Sequence, residues 1–512
     1  MRESSNDEEN TNHVTSSTNS TREDDNSTAI PGVLVDGPQV PPLLTPEEQQ
    51  NAKMNKFCLI LFFVCSISLI PSLSYFFGKT KSSTLNQPSP PSDNDTSQPM
   101  EEPTPEISAP VATQMSWKLV NNVINGTGPR AFDGGRVGIN DDGSVIALFG
   151  RKQKRMFEDI DDSWVLRDSK CGFCVESYGD EFNPDDVNQE HDINFGLGIS
   201  YDGNQVISGA AWPNFGAVFA MMYSEEEGKY NYIGNKLYGR RHEDQFGAAV
   251  TMSSDGARIA VSSISGRYVN IYERASSDEG KTYVWEETFS IEDVSIGSVR
   301  TQFLSMSGDG LRLAIGVFYE GVKVFELNSL RVWEQIGQTI TATELAGDLF
   351  GSSVAMSHTG HRVVISDPHM EDENGNALGA IQVFSYDSDV KIWVPLGNIM
   401  KGNSHGDYFG FSVSITADGN RVAAGAPGDQ GFFIIGYVKV YDYDSFGNWI
   451  LVGDQINGNA IDWFGYDLDL SREGNRLIVG AVLVSLYEAR DFHGQVSVFE
   501  LTAGNKTSEI QK

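Results

Sequence analysis

The chain has 512 residues, with 37 Lys and Arg against 70 Asp and Glu, and its formal charge at pH 7 is −33. This excess of negative charge argues against nucleic-acid binding, which requires a positive surface to meet the phosphates. The 52 Gly favour turn-rich β structure, whereas four Cys are too few for a disulfide-framed fold.

Residues 1–56 are predicted to be a disordered acidic tail. They carry 4 basic and 10 acidic side chains and long polar runs, and no apolar period of a helix or a strand appears in them. Such a composition cannot bury enough apolar surface to offset the entropy of ordering.

Residues 57–77 read FCLILFFVCSISLIPSLSYFF and contain no charge. At 1.5 Å per residue, these 21 residues match a bilayer core of about 30 Å. We expect a retained signal anchor, with Cys58 and Cys65 as apolar filler or acylation sites. A cleaved signal peptide fits less well, because 56 residues precede the apolar run and no small-x-small cleavage site follows it.

The orientation of this span is not decided by its flanks, since Lys53 and Lys56 on one side balance Lys79 and Lys81 on the other. A single span without an N-terminal signal favours the type II arrangement, with the large C-terminal part on the extracellular or lumenal side. Sequons occur on both sides of the span, so they do not decide either. The predicted glycosylation sites on the C-terminal side are Asn94, Asn125 and Asn505.

Residues 78–113 are rich in Pro and Ser, as in Gln87-Pro88-Ser89-Pro90-Pro91-Ser92. This density of Pro predicts an extended, semi-rigid linker. Its physical role is to hold the following domain away from the membrane.

Residues 114–504 form a repeat, which is the strongest signal in the chain. A short polar turn that ends in Gly recurs at intervals of 60, 53, 54, 50, 59 and 55 residues. Alternating apolar runs flank these turns and predict β-hairpins. The glycines of the turns are Gly143, Gly203, Gly256, Gly310, Gly360, Gly419 and Gly474.

Each repeat continues with a third alternating run and a fourth that begins with an aromatic residue. Four antiparallel strands in about 55 residues are typical of a propeller blade. The fourth-strand aromatics also number seven, namely Trp117, Trp164, Tyr230, Trp285, Trp333, Trp393 and Trp449. Because Trp117 precedes the first turn, we expect Trp117–Val120 to supply the outer strand of the last blade and close the ring. The alternative is a stack of similar sheets that do not close into a ring. Residues 505–512 are predicted to be a C-terminal tail.

The repeat resembles the FG-GAP repeat of the integrin α-subunit propeller. Phe409-Gly410 with Gly425-Ala426-Pro427 carries both halves of the motif, and four further units carry Phe-Gly. The resemblance implies an all-β, seven-bladed propeller and a role in adhesion or ligand binding at a cell surface. It does not carry over the family's calcium sites, because the loop between the first two strands is here a short hairpin that cannot supply six to eight oxygen ligands.

Four units place a carboxylate two residues before the Phe-Gly pair. A ring of these carboxylates on one face could bind a cation or a basic ligand. Each carboxylate could equally accept hydrogen bonds from the amides of its own turn. The second interpretation is favoured, because the carboxylate recurs in every such unit. The four candidates are Asp244, Asp348, Asp407 and Asp462.

Three long loops predicted on the same face are the first choice for a ligand surface, since recognition usually lies on loops of a rigid scaffold. They are 367–379, 426–436 and 481–494. The first contains a partial hard-cation pattern in Asp372, Asn374 and Asn376, without the bidentate carboxylate of a complete calcium loop. No other cofactor is expected.

Two further clusters have a structural and a functional interpretation. Cys171 and Cys174 favour a short disulfide, because no second Cys pair is present to complete a zinc site.

The basic run 151–155 could be a proteolytic site or a contact for an anionic glycan, but a solvated loop and strand edge in the first blade is favoured.

Together these observations predict a single-pass membrane glycoprotein that displays a propeller for binding an extracellular protein or glycan. Residues 114–512 carry 31 basic and 55 acidic residues, a balance of −24, so a cationic partner is favoured. Catalytic motifs are absent, although a carbohydrate-active propeller enzyme (a glycosidase or lyase) remains an alternative because its carboxylates would be distant in sequence. A structural scaffold without a ligand pocket is the third interpretation.

Overall fold

A computed structural model describes residues 115–126, 135–150, 153–171, 196–211, 216–277, 282–294, 302–342, 349–428, 435–460, 462–482 and 494–503. Within these ranges the regular secondary structure consists of β-strands alone. None of these residues belongs to a helix with the length and apolar character needed to cross a bilayer. The tail, the predicted span over 57–77 and the linker lie outside the described residues.

The strands form seven antiparallel sheets, which confirms the predicted all-β, seven-bladed propeller with four-stranded blades. Blade one contains β3 (Arg136–Ile139), β4 (Val145–Phe149), β5 (Gln153–Ile160) and β6 (Ser163–Cys171); blade two contains β7 (Leu197–Ile199), β8 (Gln205–Ala210), β9 (Ala217–Ser224) and β10 (Lys229–Tyr238). Blade three contains β11 (Phe246–Met252), β12 (Arg258–Ser263), β13 (Tyr268–Ser277) and β14 (Thr282–Glu292); blade four contains β15 (Leu304–Met306), β16 (Arg312–Val317), β17 (Gly321–Leu327) and β18 (Trp333–Gln335).

Blade five contains β19 (Val354–Met356), β20 (Arg362–Asp367), β21 (Ala380–Asp387) and β22 (Ile392–Lys401); blade six contains β23 (Ser412–Ile415), β24 (Arg421–Ala426), β25 (Ile435–Tyr443), β26 (Trp449–Leu451) and β27 (Ile456–Ala460). Blade seven contains β28 (Phe464–Leu470), β29 (Arg476–Ala481) and β30 (Gln495–Ala503), joined by β1 (Met115–Leu119) and β2 (Ile124–Asn125). In blades six and seven the fourth strand is divided into two segments, because β26 and β27 both pair with β25, and β1 and β2 both pair with β30. The innermost strands contact one another in the order β3, β7, β11, β15, β19, β23 and β28, and β28 contacts β3. The seven inner strands therefore surround a central channel.

The ring is closed by the N-terminal strand of the propeller. β1 pairs with β30 and sets Trp117 opposite Leu501, while the Trp117 Nε1 donates to the Val452 carbonyl of blade six at 3.1 Å. Two segments distant in sequence thus complete one blade, in which β1 is the outer strand and β28 the inner strand.

The turn between the first and second strands is built by a repeated four-residue pattern. In blade three, the Ser253 hydroxyl donates to Asp255 at 2.6 Å and accepts from the Arg258 amide at 3.0 Å. Gly256 closes the turn with φ of 65°, a left-handed conformation that glycine adopts without strain. The carboxylate and the hydroxyl therefore satisfy the turn within itself.

Arginines at the start of the second strand connect neighbouring blades. In five blades the Nη1 donates to the carbonyl of the turn glycine in the next blade. The five arginines are Arg258, Arg312, Arg362, Arg421 and Arg476. The seam between blades seven and one is the most ionic of these interfaces, since Arg476 also pairs with Asp159 at 2.8 Å and Arg472 with Asp141 at 2.8 Å.

The Phe-Gly and Gly-Ala motifs mark the places where two blades approach at the level of the backbone. A Cβ on Gly425 would lie 2.1 Å from the Gly465 carbonyl oxygen of the next blade. Where a serine replaces this glycine, its hydroxyl is turned into its own blade, as Ser262 Oγ accepts from the Ala249 amide at 2.9 Å. The motif is therefore explained by packing between blades.

Candidate functional site

The seven hairpin turns meet around one mouth of the central channel, here called the turn face. In six turns the amide of the second residue donates to the carbonyl of the second residue in the next turn. In blade four the amide of the third residue, Asp309, donates instead. A closed circle of backbone hydrogen bonds of 2.8–3.1 Å therefore surrounds the mouth. The circle runs through Asp141, Tyr201, Ser254, Gly308, His358, Ala417 and Arg472. These seven residues also line the channel.

The side chains at this position differ in chemistry from blade to blade, although their surroundings repeat. The first turn residue is Ser, Thr or Asn in every blade, and the fourth is always Gly. The second position holds an acid, a phenol, a hydroxyl, no side chain, an imidazole, a methyl group and a guanidinium. Since the backbone is fixed by the circle of hydrogen bonds, this variation does not serve the turn and is free to serve recognition.

A charged cluster spans part of the mouth. The Arg472 Nη1 donates to Asp141 Oδ2 at 2.8 Å and lies 3.4 Å from His358 Nδ1. The His358 ring lies over Gly308, where a Cβ would approach its Nδ1 within 1.9 Å. Gly308 is thus required for the imidazole to reach the arginine, and the cluster joins blades one, four, five and seven.

Below the mouth lies a cavity of about 210 Å³. The position two residues before each turn contributes to its lining, and this position is small in six blades: Gly138, Gly198, Thr251, Ser305, Ala355 and Ser414. In blade seven it is Asp469. A pocket of this volume is below the usual 300–1,000 Å³ of a small-molecule site, so it suits a small group rather than a whole drug-sized ligand.

Hydroxyls at this position connect the inner strands. Thr251 accepts from the Met306 amide at 3.0 Å, and Ser305 accepts from the Met356 amide at 3.0 Å. Asp469 does the same across the closing seam, since its Oδ2 accepts from the Ile139 amide at 3.2 Å. A carboxylate therefore occupies a position that neutral acceptors fill elsewhere in the ring.

Asp467 and Asp469 lie on the same side of β28 and face blade one. Burial raises the pKa of Asp469 to about 7, and the negative charge of the nearby Asp467 raises it further. The hydrogen bond from Ser414 acts in the opposite direction and lowers this pKa. Burial also raises the pKa of Asp467 to about 6, although Arg136 lies 3.7 Å away and opposes it. Both carboxylates therefore destabilise the folded state in their ionised forms.

Replacement of Asp469 by Ser is expected to stabilise the protein at pH 8 by about 2–5 °C in melting temperature. Serine keeps a neutral acceptor, as in blade six, and removes the ionised carboxylate. Because the folded pKa lies above the unfolded value of about 3.8, wild-type stability should rise as the pH falls from 8 to 5. Thermal melts of D469S against wild type should converge at pH 5; equal differences at both pH values would contradict this explanation.

Three of the four predicted ring carboxylates lie in the described residues, and each is buried in its own turn. Asp407 Oδ2 accepts from the Asn403 and Ser404 amides and from the Tyr437 hydroxyl, at 2.8, 2.9 and 2.6 Å. Asp244 accepts in the same way from Arg241 and Tyr268, and Asp462 accepts from Asn459 and Phe464. The hydrogen bonds favour the turn-stabilising interpretation, and burial raises the pKa of Asp462. Asp348 lies outside the described residues.

The partial cation loop is closed on itself. Asp372 Oδ1 accepts from the Asn374 and Asn376 amides, at 2.8 and 2.9 Å, and Oδ2 accepts from the Asn376 side chain at 3.0 Å. Hydrogen bonds from Asn376 lower the pKa of Asp372 to about 2. Over the described ranges, no group of three or more His, Cys, Asp or Glu side chains is placed to hold a metal ion.

The basic run 151–155 was expected to be a solvated edge, and this is wrong for the two side chains that the structure describes. Lys154 and Arg155 are 4% and 8% exposed. Lys154 lies between the rings of Phe149 and Phe219, 5.6 Å from each centroid, and its burial lowers the pKa to about 8. The sequence predicted that water would solvate these cations, but the amine of Lys154 makes cation–π contacts with rings from two blades instead.

Several sequence predictions concern residues beyond the described ranges. Asn94, Asn505 and Cys174 are among these, and the side chain of Cys171 is likewise not described. Asn125 is exposed, and its Oδ1 accepts from the Gln495 side chain at 2.8 Å. Its surface position leaves it accessible as the predicted glycosylation site.

No family model matches the chain, and no curated protein matches it. Among solved structures, the β-propeller domain of Myceliophteria thermophila Cps50 (Swd1) is 11% identical, with a TM-score of 0.46 over 75% of this chain and 100% of that one. A putative 6-phosphogluconolactonase from Bacteroides uniformis is 12% identical, with a TM-score of 0.44 over 67% of this chain and 87% of that one. Kuenenia stuttgartiensis hydrazine synthase is 12% identical, with a TM-score of 0.45 over 74% and 98%. These likenesses assign no function to the chain.

Proposed function

We propose that the propeller is a recognition module whose ligand contacts the mouth of the channel on the turn face. The observation that carries this proposal is the set of seven unlike side chains on seven equivalent backbone positions. The four-residue turn, the arginine contacts and the Phe-Gly contacts are all satisfied within the scaffold. The mouth residues are the part of the repeat that the fold leaves free to vary.

The wider role that we propose is adhesion or ligand binding by a single-pass membrane protein, with the propeller on the extracellular or lumenal side. The uncharged run 57–77 and the Pro-rich linker after it support this arrangement. The resemblance of the repeat to FG-GAP units of integrin α-subunits supports it as well. An extracellular protein or a glycan is the corresponding ligand class.

The alternative of a carbohydrate-active enzyme has one observation in its favour, since Asp141 and Asp469 line the same cavity. Burial raises the pKa of Asp469, as a general acid requires, and Asp141 pairs with Arg472. The small volume of about 210 Å³ weighs against it, because a glycosidase must enclose a distorted sugar ring.

The test is binding of the full-length chain to an array of glycans and extracellular-matrix proteins, with calcium and with a chelator. We expect specific binding that falls at least about tenfold in R472A, because the mutation removes the side chain that bonds Asp141 and approaches His358 and so holds the surface of the mouth in place. K391A removes an exposed cation from the turn between β21 and β22 and serves as the control. Binding that R472A leaves unchanged, or silence on the array, would contradict recognition at the mouth; loss with the chelator would add a cation to the site.

A further inference from the structure

Asp469 is a carboxylate that lines the cavity without a basic partner among the described residues. Arg136, a cation across the seam, pairs with Asp467 at 3.7 Å. At the mouth, Arg472 is engaged by Asp141. The negative charge of Asp469 is therefore met only by hydrogen bonds.

These hydrogen bonds do not fill the carboxylate. Oδ1 accepts from the Ser414 hydroxyl at 2.9 Å and from the Leu470 amide at 3.0 Å, whereas Oδ2 accepts only from the Ile139 amide at 3.2 Å. A carboxylate offers about four lone-pair sites, so one site on Oδ2 is left. The side chain is also partly open rather than fully enclosed, and the cavity lies beside it.

From this geometry we infer that the channel binds a cationic nitrogen group, an ammonium or a guanidinium, with Asp469 as its counter-charge. This inference rests on the proposed function and names the chemistry of the group that enters the mouth. The balance of −24 over residues 114–512 would attract such a ligand to the propeller. The cavity volume fits the end of a Lys or Arg side chain, or of a polyamine, better than a larger ligand.

The position of the carboxylate adds a pH dependence. The pKa of Asp469 is raised, so protonation at mildly acidic pH removes the counter-charge while an alkylammonium group keeps its own charge. Asp467 and Arg136 face this part of the seam and pair with each other, and Asp141, His358 and Arg472 line the same cavity at its mouth. A bound ammonium group should therefore be released as the pH falls through about 7.

The experiment is calorimetric titration of the full-length chain with two probes, Nα-acetyl-lysine amide and Nα-acetyl-norleucine amide. The probes differ in the ammonium group, so the comparison separates a charge effect from burial of the apolar stem. We expect the lysine probe to bind at pH 8, to bind at least about tenfold more weakly at pH 5.5, and the norleucine probe not to bind.

D469S tests the residue itself, and it should fold because serine occupies the same position in blades four and six. We expect lysine-probe binding to fall at least about tenfold in D469S and to be unchanged in D389N, which neutralises an exposed carboxylate. Equal binding to D469S and wild type, equal binding of both probes, or no binding of the lysine probe at 50 mM would each overturn the inference. A mouth that binds an array partner but not the lysine probe would leave the proposed function standing and refute the cationic ligand.

Discussion

Alanine at Gly316 is expected to lower the free energy of unfolding by about 3 kcal/mol or more. A Cβ at this position would lie 1.9 Å from the Gly351 carbonyl oxygen and 3.2 Å from the Phe303 Cβ. The first of these atoms belongs to the backbone of the next blade, so no side chain can rotate away to relieve the contact. The blades would have to separate, and denaturant unfolding of G316A should show the loss.

G228A is the matched control for this substitution. Gly228 has a left-handed φ of 61° and no atom within 4 Å of the added Cβ, so alanine there costs only the backbone strain, about 1 kcal/mol. A loss in G316A no larger than that in G228A would show that close approach between blades does not require these glycines.

Alanine at Arg476 is expected to lower the free energy of unfolding by about 3 kcal/mol. This is a larger loss than we expect for the equivalent substitution at Arg421. The guanidinium donates across the closing seam to Asp159 at 2.8 Å and to the Gly143 carbonyl at 3.0 Å. The side chains of both partners of the ion pair are largely buried, at 18% and 11% exposure. The substitution leaves Asp159 without its cation, and this uncompensated charge is the main cost.

R421A provides the comparison for the seam. Arg421 makes the same contact to the next turn, with the Gly474 carbonyl, but its carboxylate partner is Asp442 of its own blade, which is 41% exposed. We expect R421A to cost about 1 kcal/mol, because water takes the place of the arginine at Asp442. Thermal melts that give equal losses for the two variants would contradict a special role of ions in closing the ring.

The blade architecture could be predicted from the sequence because its signals are local and repeated. The turn glycines and the fourth-strand aromatics each recur seven times, and alternating runs flank most of the turns. The offset of Trp117 indicated that the N-terminal strand joins the last blade, and β1 pairs with β30 in this way. The packing role of the Phe-Gly pair required the structure, because the contact lies between residues of different blades.

The candidate site could not be predicted in the same way. Asp141 and Arg472 are 331 positions apart, and their pairing depends on ring closure. A usable signal was nevertheless present, since the second turn position varies while the positions around it repeat. Asp469 was a second signal, because it breaks a series of small neutral residues at one position of the inner strand.

The burial of Lys154 is a further case in which sequence reasoning failed for a physical reason. A run of basic residues predicts exposure because an isolated buried ammonium is costly. Here the amine of Lys154 lies between Phe149 of the same blade and Phe219 of the next blade. The sequence does not show this arrangement, because it depends on the packing of one blade against another.

The central claim is that ligands are recognised at the mouth of the channel, and blocking the mouth tests it most directly. A cysteine at Ala417, a small mouth residue, can be coupled to a maleimide polymer without altering Asp141, His358 or Arg472. S388C, on an exposed turn between β21 and β22, is the control, and wild type treated with the same reagent sets the baseline for the four native Cys. We predict that array binding is lost in labelled A417C and kept in labelled S388C; binding that survives the blocked mouth would contradict the account.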